Sequence, residues 1–231
     1  MCGRYVLKSP PERVRDQFGA LLGVSAWPPR YNIGPLQMAP VVLLRDGTRR
    51  VELQRWGLVP SWAGDPEIGN RLINARGETV AQKPSFRSAF KTRRCVVPAD
   101  GFYEWQQRGD GPKQPYFIQR RDGALLALAG LWEHWKAADG TELHTFTVLT
   151  TAANAWMQPL HARMPVALDD DDAVRRWLDP AGRADALQPL LQPLPDDRLD
   201  AWPVSRAVGN IRNDRADLLT PVTPVTPVTP A

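Results

Sequence analysis

The fold is decided by residues 101–150, which read GFYEWQQRGDGPKQPYFIQRRDGALLALAGLWEHWKAADGTELHTFTVLT. Asp-Gly pairs at positions 110–111, 122–123 and 139–140 separate runs that are rich in aromatic and β-branched residues. Because both turn residues tolerate a positive φ, Asp-Gly between such runs is a strong signal for a β-hairpin. The pattern predicts an antiparallel meander with strands at Phe102–Gln106, Tyr116–Arg120, Leu125–Trp132 and His144–Thr150.

The same turn signal occurs upstream of this region. Asp46-Gly47 lies between the apolar runs Val41–Leu44 and Val51–Leu58, which predicts a further hairpin. Helical patterns precede and follow the strands, so the elements are mixed rather than all-β. We therefore predict a single-domain α+β fold, in which a mostly antiparallel, barrel-like sheet is surrounded by helices.

Three helices are predicted around this sheet. The stretch that follows Ser9 begins with two prolines, and Val14, Phe18 and Leu22 then share one helical face. Asp169–Asp172 precede an amphipathic segment, so these carboxylates fit the positive end of a helix dipole better than a metal cluster. A further short helix is predicted over Ala184–Leu191.

The composition is typical of a soluble globular protein, with 43% hydrophobic and 23% charged residues in a chain of 231. No apolar run approaches about 18 residues and no secretory signal is recognisable, so we expect no membrane segment. We expect one domain over residues 1–219. A Thr-Pro-Val repeat has little apolar surface to bury, which predicts a disordered tail over residues 220–231.

Cysteine and histidine usage restricts the chemistry that the chain can perform. The two cysteines, Cys2 and Cys95, argue against a disulfide scaffold and fit a reducing cytoplasm. Together with the three histidines they show none of the short paired spacings of structural zinc sites, so we predict no metal and no other cofactor. The net charge of +4 permits a nucleic-acid partner without requiring one.

Cys2 stands directly behind the initiator methionine. If Met1 is removed, this residue carries an α-amine and a thiol on adjacent carbons. The free amine has a reference pKa of about 7.7–8.0, so part of it is unprotonated at neutral pH and can attack an aldehyde. The thiol can then close on the imine carbon to form a thiazolidine ring. This chemistry predicts an aldehyde partner, with a buried structural cysteine as the alternative.

Six different motifs that contain polar residues follow one another along the chain. They are Met1–Tyr5, Arg30–Asn32, Asn74–Thr79, Gly101–Trp105, His161–Pro165 and Pro203–Asn210. Taken together, they resemble the SOS-response-associated peptidase family, whose members are abasic-site sensors that crosslink themselves to DNA. The resemblance extends from Cys2 to about Leu219 and leaves out the Thr-Pro-Val tail.

The resemblance implies catalytic roles for four residues. Cys2 would be the nucleophile that forms a thiazolidine with the ring-opened abasic sugar, and Asn74 would orient the N-terminus and the sugar. Glu104 would act as general acid and base, and His161 would assist formation or reversal of the Schiff base. A carboxylic acid among aromatic neighbours is expected to have a raised pKa, which suits the role of Glu104.

The resemblance also implies a DNA-binding surface. The basic positions that would contact phosphates are Arg4, Arg76 and Arg163, and the apolar positions that would form a wedge or stacking surface are Pro35, Trp62 and Trp105. Stacking on aromatic side chains is a common way to hold single-stranded bases without sequence preference. The expected partner is single-stranded DNA with abasic sites, bound by a cytoplasmic monomer that is nucleoid-associated while on DNA.

Other functions stay open from the sequence. A cysteine peptidase needs a thiolate paired with a histidine, and Cys2 with His161 supplies the residue types. A non-catalytic module for single-stranded DNA is supported by the charge and by nine tryptophans, but it gives no reason for a cysteine at position 2. Strand cleavage through the Schiff base and self-processing are further activities that the family resemblance raises.

Overall fold

A computed structural model of the chain describes residues 2–24 and 26–222. Strands make up the larger part of the regular structure in this part of the chain. They are β1 (Tyr5–Leu7), β2 (Leu21–Leu22), β3 (Arg30–Ile33), β4 (Met38–Arg45), β5 (Thr48–Trp56), β6 (Asn74–Arg76), β7 (Arg94–Ala99), β8 (Gly101–Gln106), β9 (Gln114–Arg120), β10 (Leu126–Lys136), β11 (Glu142–Ala152), β12 (Arg163–Pro165), β13 (Ala167–Leu168) and β14 (Leu199–Pro203).

Short helices connect and cover these strands. The α-helices are α1 (Pro11–Phe18), α2 (Arg87–Thr92), α3 (Asp171–Leu178) and α4 (Ala184–Leu187). Short 3₁₀ segments occupy Pro66–Arg71, Gln188–Leu191, Asp196–Arg198, Arg206–Gly209 and Ala216–Leu219. None of the described helices is long and apolar enough to cross a bilayer.

The strands form two sheets within the described residues. One has the order β14-β9-β8-β1-β3 and is antiparallel throughout. The other runs β12-β11-β10-β7-β4-β5-β2, and β5 also pairs with β11 in parallel, which closes a ring of five strands. The predicted α+β class with a barrel-like, mostly antiparallel sheet is confirmed.

The predicted meander is divided between these two sheets. β8 pairs with β9 in the first sheet, and β10 pairs with β11 in the second. The Asp122-Gly123 turn therefore carries the chain from one sheet to the other instead of joining a hairpin. Beyond it, β10 pairs along its first half with β7, from Leu126 opposite Ala99 to Leu131 opposite Arg94. Asp122-Gly123 has the same residues as the Asp-Gly turns that join hairpins. It does not join one because β10 pairs with β7 instead of with β9.

Several local predictions are confirmed with adjusted ends. The Asp46-Gly47 hairpin joins β4 to β5, with φ of 48° and 76° at the two turn residues. The helix predicted after Ser9 ends at Phe18, because Gly19 adopts a left-handed conformation, and Leu22 lies in β2 instead. The helix predicted after the acidic run is α3, and the Asp170 carboxylate caps it by accepting from the Ala173 N–H at 2.8 Å. The predicted helix at 184–191 forms as α4 and the following 3₁₀ turn.

A long-range polar anchor holds the N-terminal segment at the junction of the two sheets. The Asp100 carboxylate, between β7 and β8, accepts hydrogen bonds from the backbone of Lys8 and from Ser9. The next residue, Gly101, approaches β9 so closely that a Cβ would lie 2.4 Å from the Ile118 carbonyl oxygen. The chain passes between the two sheets here, and only glycine fits that approach.

The C-terminal segment is pinned by the side chain of Asn32. This amide is fully buried and donates to the carbonyls of Val208, Asn210 and Asn213, at 3.1, 3.2 and 2.8 Å. Two of the six sequence motifs therefore bind one another. At the start of the predicted tail, Pro221 forms a bridge with Val204. The remainder of that tail, residues 223–231, lies outside the described residues, as does Met1.

Candidate active site

The candidate site begins with the main chain of Cys2. The Asn74 Nδ2 donates to the Cys2 carbonyl oxygen at 2.8 Å, and the Cys2 side chain is fully buried. Asn74 is the first residue of β6, which pairs in parallel with β11 at Val148. The Asn74 Oδ1 is buried and has no hydrogen-bond partner among the described residues. This amide therefore positions residue 2 and keeps one acceptor for a further ligand.

Glu104 reaches the same place from β8. β1 pairs with β8 in antiparallel register, and the Tyr103 N–H donates to the Arg4 carbonyl at 3.0 Å, so the chain before β1 runs past Glu104. The Glu104 side chain is only 2% exposed. Burial raises its pKa, and the charge of His161 opposes part of that rise. The sequence-based expectation of a raised pKa for this carboxyl agrees with its position.

His161 approaches from the turn before β12. Its Nδ1 lies 3.0 Å from both the amide nitrogen and the carbonyl oxygen of Arg163. When the ring is neutral, Nδ1 can accept a hydrogen bond from the Arg163 N–H. When the ring is protonated, Nδ1 can donate to the Arg163 carbonyl, so Arg163 offers a partner to either state. β12 pairs with β11 on the far side from Asn74, so one strand positions both residues.

The structure thus brings Asn74, Glu104 and His161 together around residue 2 from four separate segments of the chain. Burial raises the pKa of the Cys2 thiol, and the nearby negative charge of Glu104 raises it further. The thiol is therefore held in its neutral form, which is a poor nucleophile for direct attack. The carboxyl and the imidazole are proton carriers, so the cluster is suited to proton transfer beside the main chain of residue 2.

The three predicted phosphate-binding arginines differ in their surroundings. Arg163 forms a two-pronged ion pair with Glu78, at 2.6 and 3.1 Å, and also donates to Thr150. Arg4 donates to Asn32 and to the carbonyls of the C-terminal segment. Arg76 is exposed and forms no ion pair with the described residues. Of the three, Arg76 has the guanidinium that is most accessible to an incoming anion.

A sequence profile of the family described as SOS response associated peptidase (SRAP) matches residues 1–211 of the chain. The chain belongs to this family. It is 39% identical over 222 residues to the abasic site processing protein YoqW of Bacillus subtilis, covering 95% of this chain and 99% of that protein. It is 38% identical over 224 residues to the abasic site processing protein HMCES of Gallus gallus, covering 84% of this chain and 66% of that protein.

Solved structures share this SRAP fold. A protein from Bacteroides thetaiotaomicron superposes with a TM-score of 0.87 at 25% identity, over 96% of this chain and all of that chain. A protein from Bordetella bronchiseptica superposes with a TM-score of 0.75 at 30% identity, over 88% of this chain and all of that chain. The two-sheet arrangement is therefore found in other bacterial proteins of known structure.

The three apolar residues predicted to contact DNA in this SRAP protein differ in how far their side chains are exposed. Trp62 is 61% exposed, which is unusual for a side chain of its size, whereas Pro35 and Trp105 are half-buried.

The sequence does not single out two further residues, Leu36 and Glu78. Leu36 is 40% exposed at a φ of 69°, a strained conformation that is typical of functional loops. Glu78, the partner of Arg163, lies inside a quoted motif, but its pairing depends on tertiary structure.

Proposed function

We propose that this chain processes abasic sites in DNA, and that it does so by forming a covalent bond between Cys2 and the ring-opened sugar. Its curated relatives in Bacillus subtilis and Gallus gallus are named abasic site processing proteins. The observation that carries the chemical part is the hydrogen bond from Asn74 to the Cys2 carbonyl, beside the buried Glu104. An anchored residue 2 next to a proton carrier suits reaction at an N-terminal cysteine.

The reaction requires that Met1 be removed, so that Cys2 carries a free α-amine. The amine adds to the aldehyde carbon of the opened sugar and gives a carbinolamine. Proton donation to the carbinolamine hydroxyl releases water and leaves an imine. The thiol then adds to the imine carbon while its proton passes to the nitrogen, which closes the five-membered ring. One water is released in all, and no oxidant or reductant is needed.

The roles of Glu104 and His161 follow from their electrostatics. Because burial raises the pKa of Glu104, its carboxyl keeps a proton closer to neutral pH and can protonate the leaving hydroxyl. His161 offers a second proton carrier whose Nδ1 is satisfied in both states by Arg163. The Asn74 Oδ1, which has no hydrogen-bond partner within the described part of the chain, is an acceptor for the α-amine or for a sugar hydroxyl.

The neutral thiol of Cys2 favours this order of events over a cysteine peptidase. A peptidase needs a thiolate as its first nucleophile. Burial opposes ionisation of this thiol, and Glu104 opposes it further when its carboxyl is charged. In the proposed reaction the amine attacks first and the thiol acts afterwards on an activated imine.

We propose single-stranded DNA as the partner, with phosphates at the exposed Arg76 and stacking on the exposed Trp62.

The decisive experiment is intact mass spectrometry after incubation with a single-stranded oligonucleotide that carries one abasic site. We expect one adduct per chain, mapped to Cys2 without Met1. Cys2→Ala should lose the stable adduct and keep at most an imine that borohydride traps. Cys95→Ala is the matched control and should form the adduct like the wild type. A stable adduct at a lysine would contradict the proposal, and DNA binding without any adduct would support the non-catalytic module.

A second variant tests the proton carrier and the peptidase alternative together. Glu104→Gln should slow crosslinking by roughly 10²–10⁴-fold, the usual range for one general acid or base. Affinity for intact single-stranded DNA should not fall, because removing a negative charge cannot weaken binding to phosphate electrostatically. Both quantities are measured on the same preparation, with peptide hydrolysis in the absence of DNA as a third assay. An unchanged crosslinking rate would remove Glu104 from the mechanism.

A further inference from the structure

The β10–β11 hairpin brings two histidines into direct register on its exposed face. His134 is paired with His144 across the two strands. Their rings are stacked, with centroids 4.7 Å apart and planes inclined by 11°. Both side chains are exposed. Two imidazoles at this spacing present several ring nitrogens to one small region of solvent.

A carboxylate completes the group. Glu142 lies two residues before His144 on the same strand, so it projects from the same face of the sheet. Its Oε2 is 3.1 Å from the Nε2 of His134. One ligand atom from each of the three side chains lies within 4.8 Å of the others.

We propose that His134, Glu142 and His144 bind one divalent transition-metal ion, with Zn²⁺ as the reference case. Zn²⁺ takes imidazole nitrogen at about 2.0–2.1 Å and carboxylate oxygen at about 2.0–2.2 Å, and two histidines with one glutamate form a known ligand set. Atoms around a tetrahedral ion at those lengths are about 3.4 Å apart. Side-chain rotations of exposed residues can supply the remaining approach, and water can fill the fourth position.

Strand register brings these residues together although they are far apart in the sequence. Structural zinc sites commonly use ligands a few positions apart on one segment. Here the first histidine is ten positions from the second, and only the pairing of His134 with His144 makes them neighbours. The site is independent of the Cys2 cluster and of the proposed function.

Charged side chains near the three ligands would compete with a metal ion for the Glu142 carboxylate. The Lys136 Nζ lies 2.8 Å from the Oε1 of Glu142, so a cation must displace or share this ion pair. Glu52 also lies near His144, but Arg45 donates to its carboxylate at 3.1 and 3.2 Å. Removing the lysine charge should therefore strengthen binding of a cation, and removing an imidazole should weaken it.

Calorimetric titration of the full chain with ZnCl₂ tests the proposal. We expect one ion per chain, at least about tenfold weaker binding in His134→Gln and in His144→Gln, and tighter binding in Lys136→Met. Cys2→Ala combined with His161→Gln is the control, because it removes the thiol and the imidazole of the candidate active site and leaves the hairpin residues unchanged. Its affinity should equal that of the wild type. Unchanged affinity in both histidine variants, or loss of binding in the control, would overturn the site.

Discussion

Glu104 shows how one residue links stability to function. Burial raises the pKa of its carboxyl, so the native state holds this proton more tightly than the unfolded chain does. The resulting stabilisation is fully present below the ordinary glutamate pKa of about 4.3 and is lost as the pH rises through the native pKa. The same burial that suits Glu104 to the proposed proton transfer therefore lowers the stability of the native state as the pH rises.

We expect Glu104→Gln to remove that pH-dependent loss. The amide has no proton to lose, so the free energy of unfolding of the variant should fall less than that of the wild type as the pH is raised. Denaturant unfolding at several pH values measures the difference.

Glu78→Gln is the matched control, because its pKa is lowered by the hydrogen bond from Arg163. The stabilisation from this carboxylate is present above its unfolded pKa and is lost as the pH falls, so the same substitution should change the profile on the acidic side. Parallel profiles for wild type and Glu104→Gln would show that Glu104 titrates alike in both states.

At the scale of elements, the molecule depends on polar anchors that join segments far apart in the chain. β3 carries Asn32, whose amide binds three carbonyls of the 206–214 region and accepts from Arg4 at 3.0 Å. Asp214 returns the contact by accepting from the backbone N–H groups of Tyr31 and Asn32. These bonds hold the C-terminal segment against β3, which pairs with the N-terminal strand β1.

We expect Asn32→Ala to lower the free energy of unfolding by about 1–3 kcal/mol, because it removes the hydrogen bonds of a fully buried amide and deprives the Asn213 carbonyl of its donor. Amide hydrogen exchange should also become faster in the 206–214 region than elsewhere. Asn70→Ala is the matched control, since Asn70 is exposed on a 3₁₀ turn, and its effect should stay within about 0.5 kcal/mol. Equal effects of the two substitutions would assign the anchoring to apolar packing instead.

At the scale of the whole molecule, many positive charges are paired with carboxylates, so fewer of them are available to bind an anion. The chain has 29 basic and 25 acidic residues, and many arginines are paired with neighbouring carboxylates. Arg163 is bound by Glu78, while Arg76 is exposed and forms no ion pair in the described part of the chain. The sequence treats these two arginines alike, but the folded chain does not.

We expect Arg76→Ala to weaken binding of single-stranded DNA about equally across sequences. Loss of one phosphate contact should reduce the slope of log K against log salt by roughly 0.7. Arg163→Ala should change this slope less, because Glu78 already neutralises that guanidinium.

Glu78→Gln gives the complementary result and should strengthen DNA binding by releasing Arg163. Fluorescence anisotropy at several salt concentrations measures all three variants. A full slope change in Arg163→Ala with none in Arg76→Ala would reverse the assignment.

The sequence by itself determined the local structure and the chemical inventory of this protein. Asp46-Gly47 predicts its hairpin, and the acidic run predicts the start of α3, because turn and cap preferences act within a few residues. The family motifs also point to Cys2, Asn74, Glu104 and His161 without any knowledge of their distances.

Only the tertiary structure decided how these pieces meet. The Asp122-Gly123 turn separates two sheets because β10 finds a distant partner in β7, a choice that no local signal contains. In the same way, parallel pairing with β11 brings Asn74 to a residue 72 positions away, and hairpin register stacks His134 on His144. Contacts between distant segments depend on which apolar faces bury one another, and that competition is resolved only when the whole chain packs.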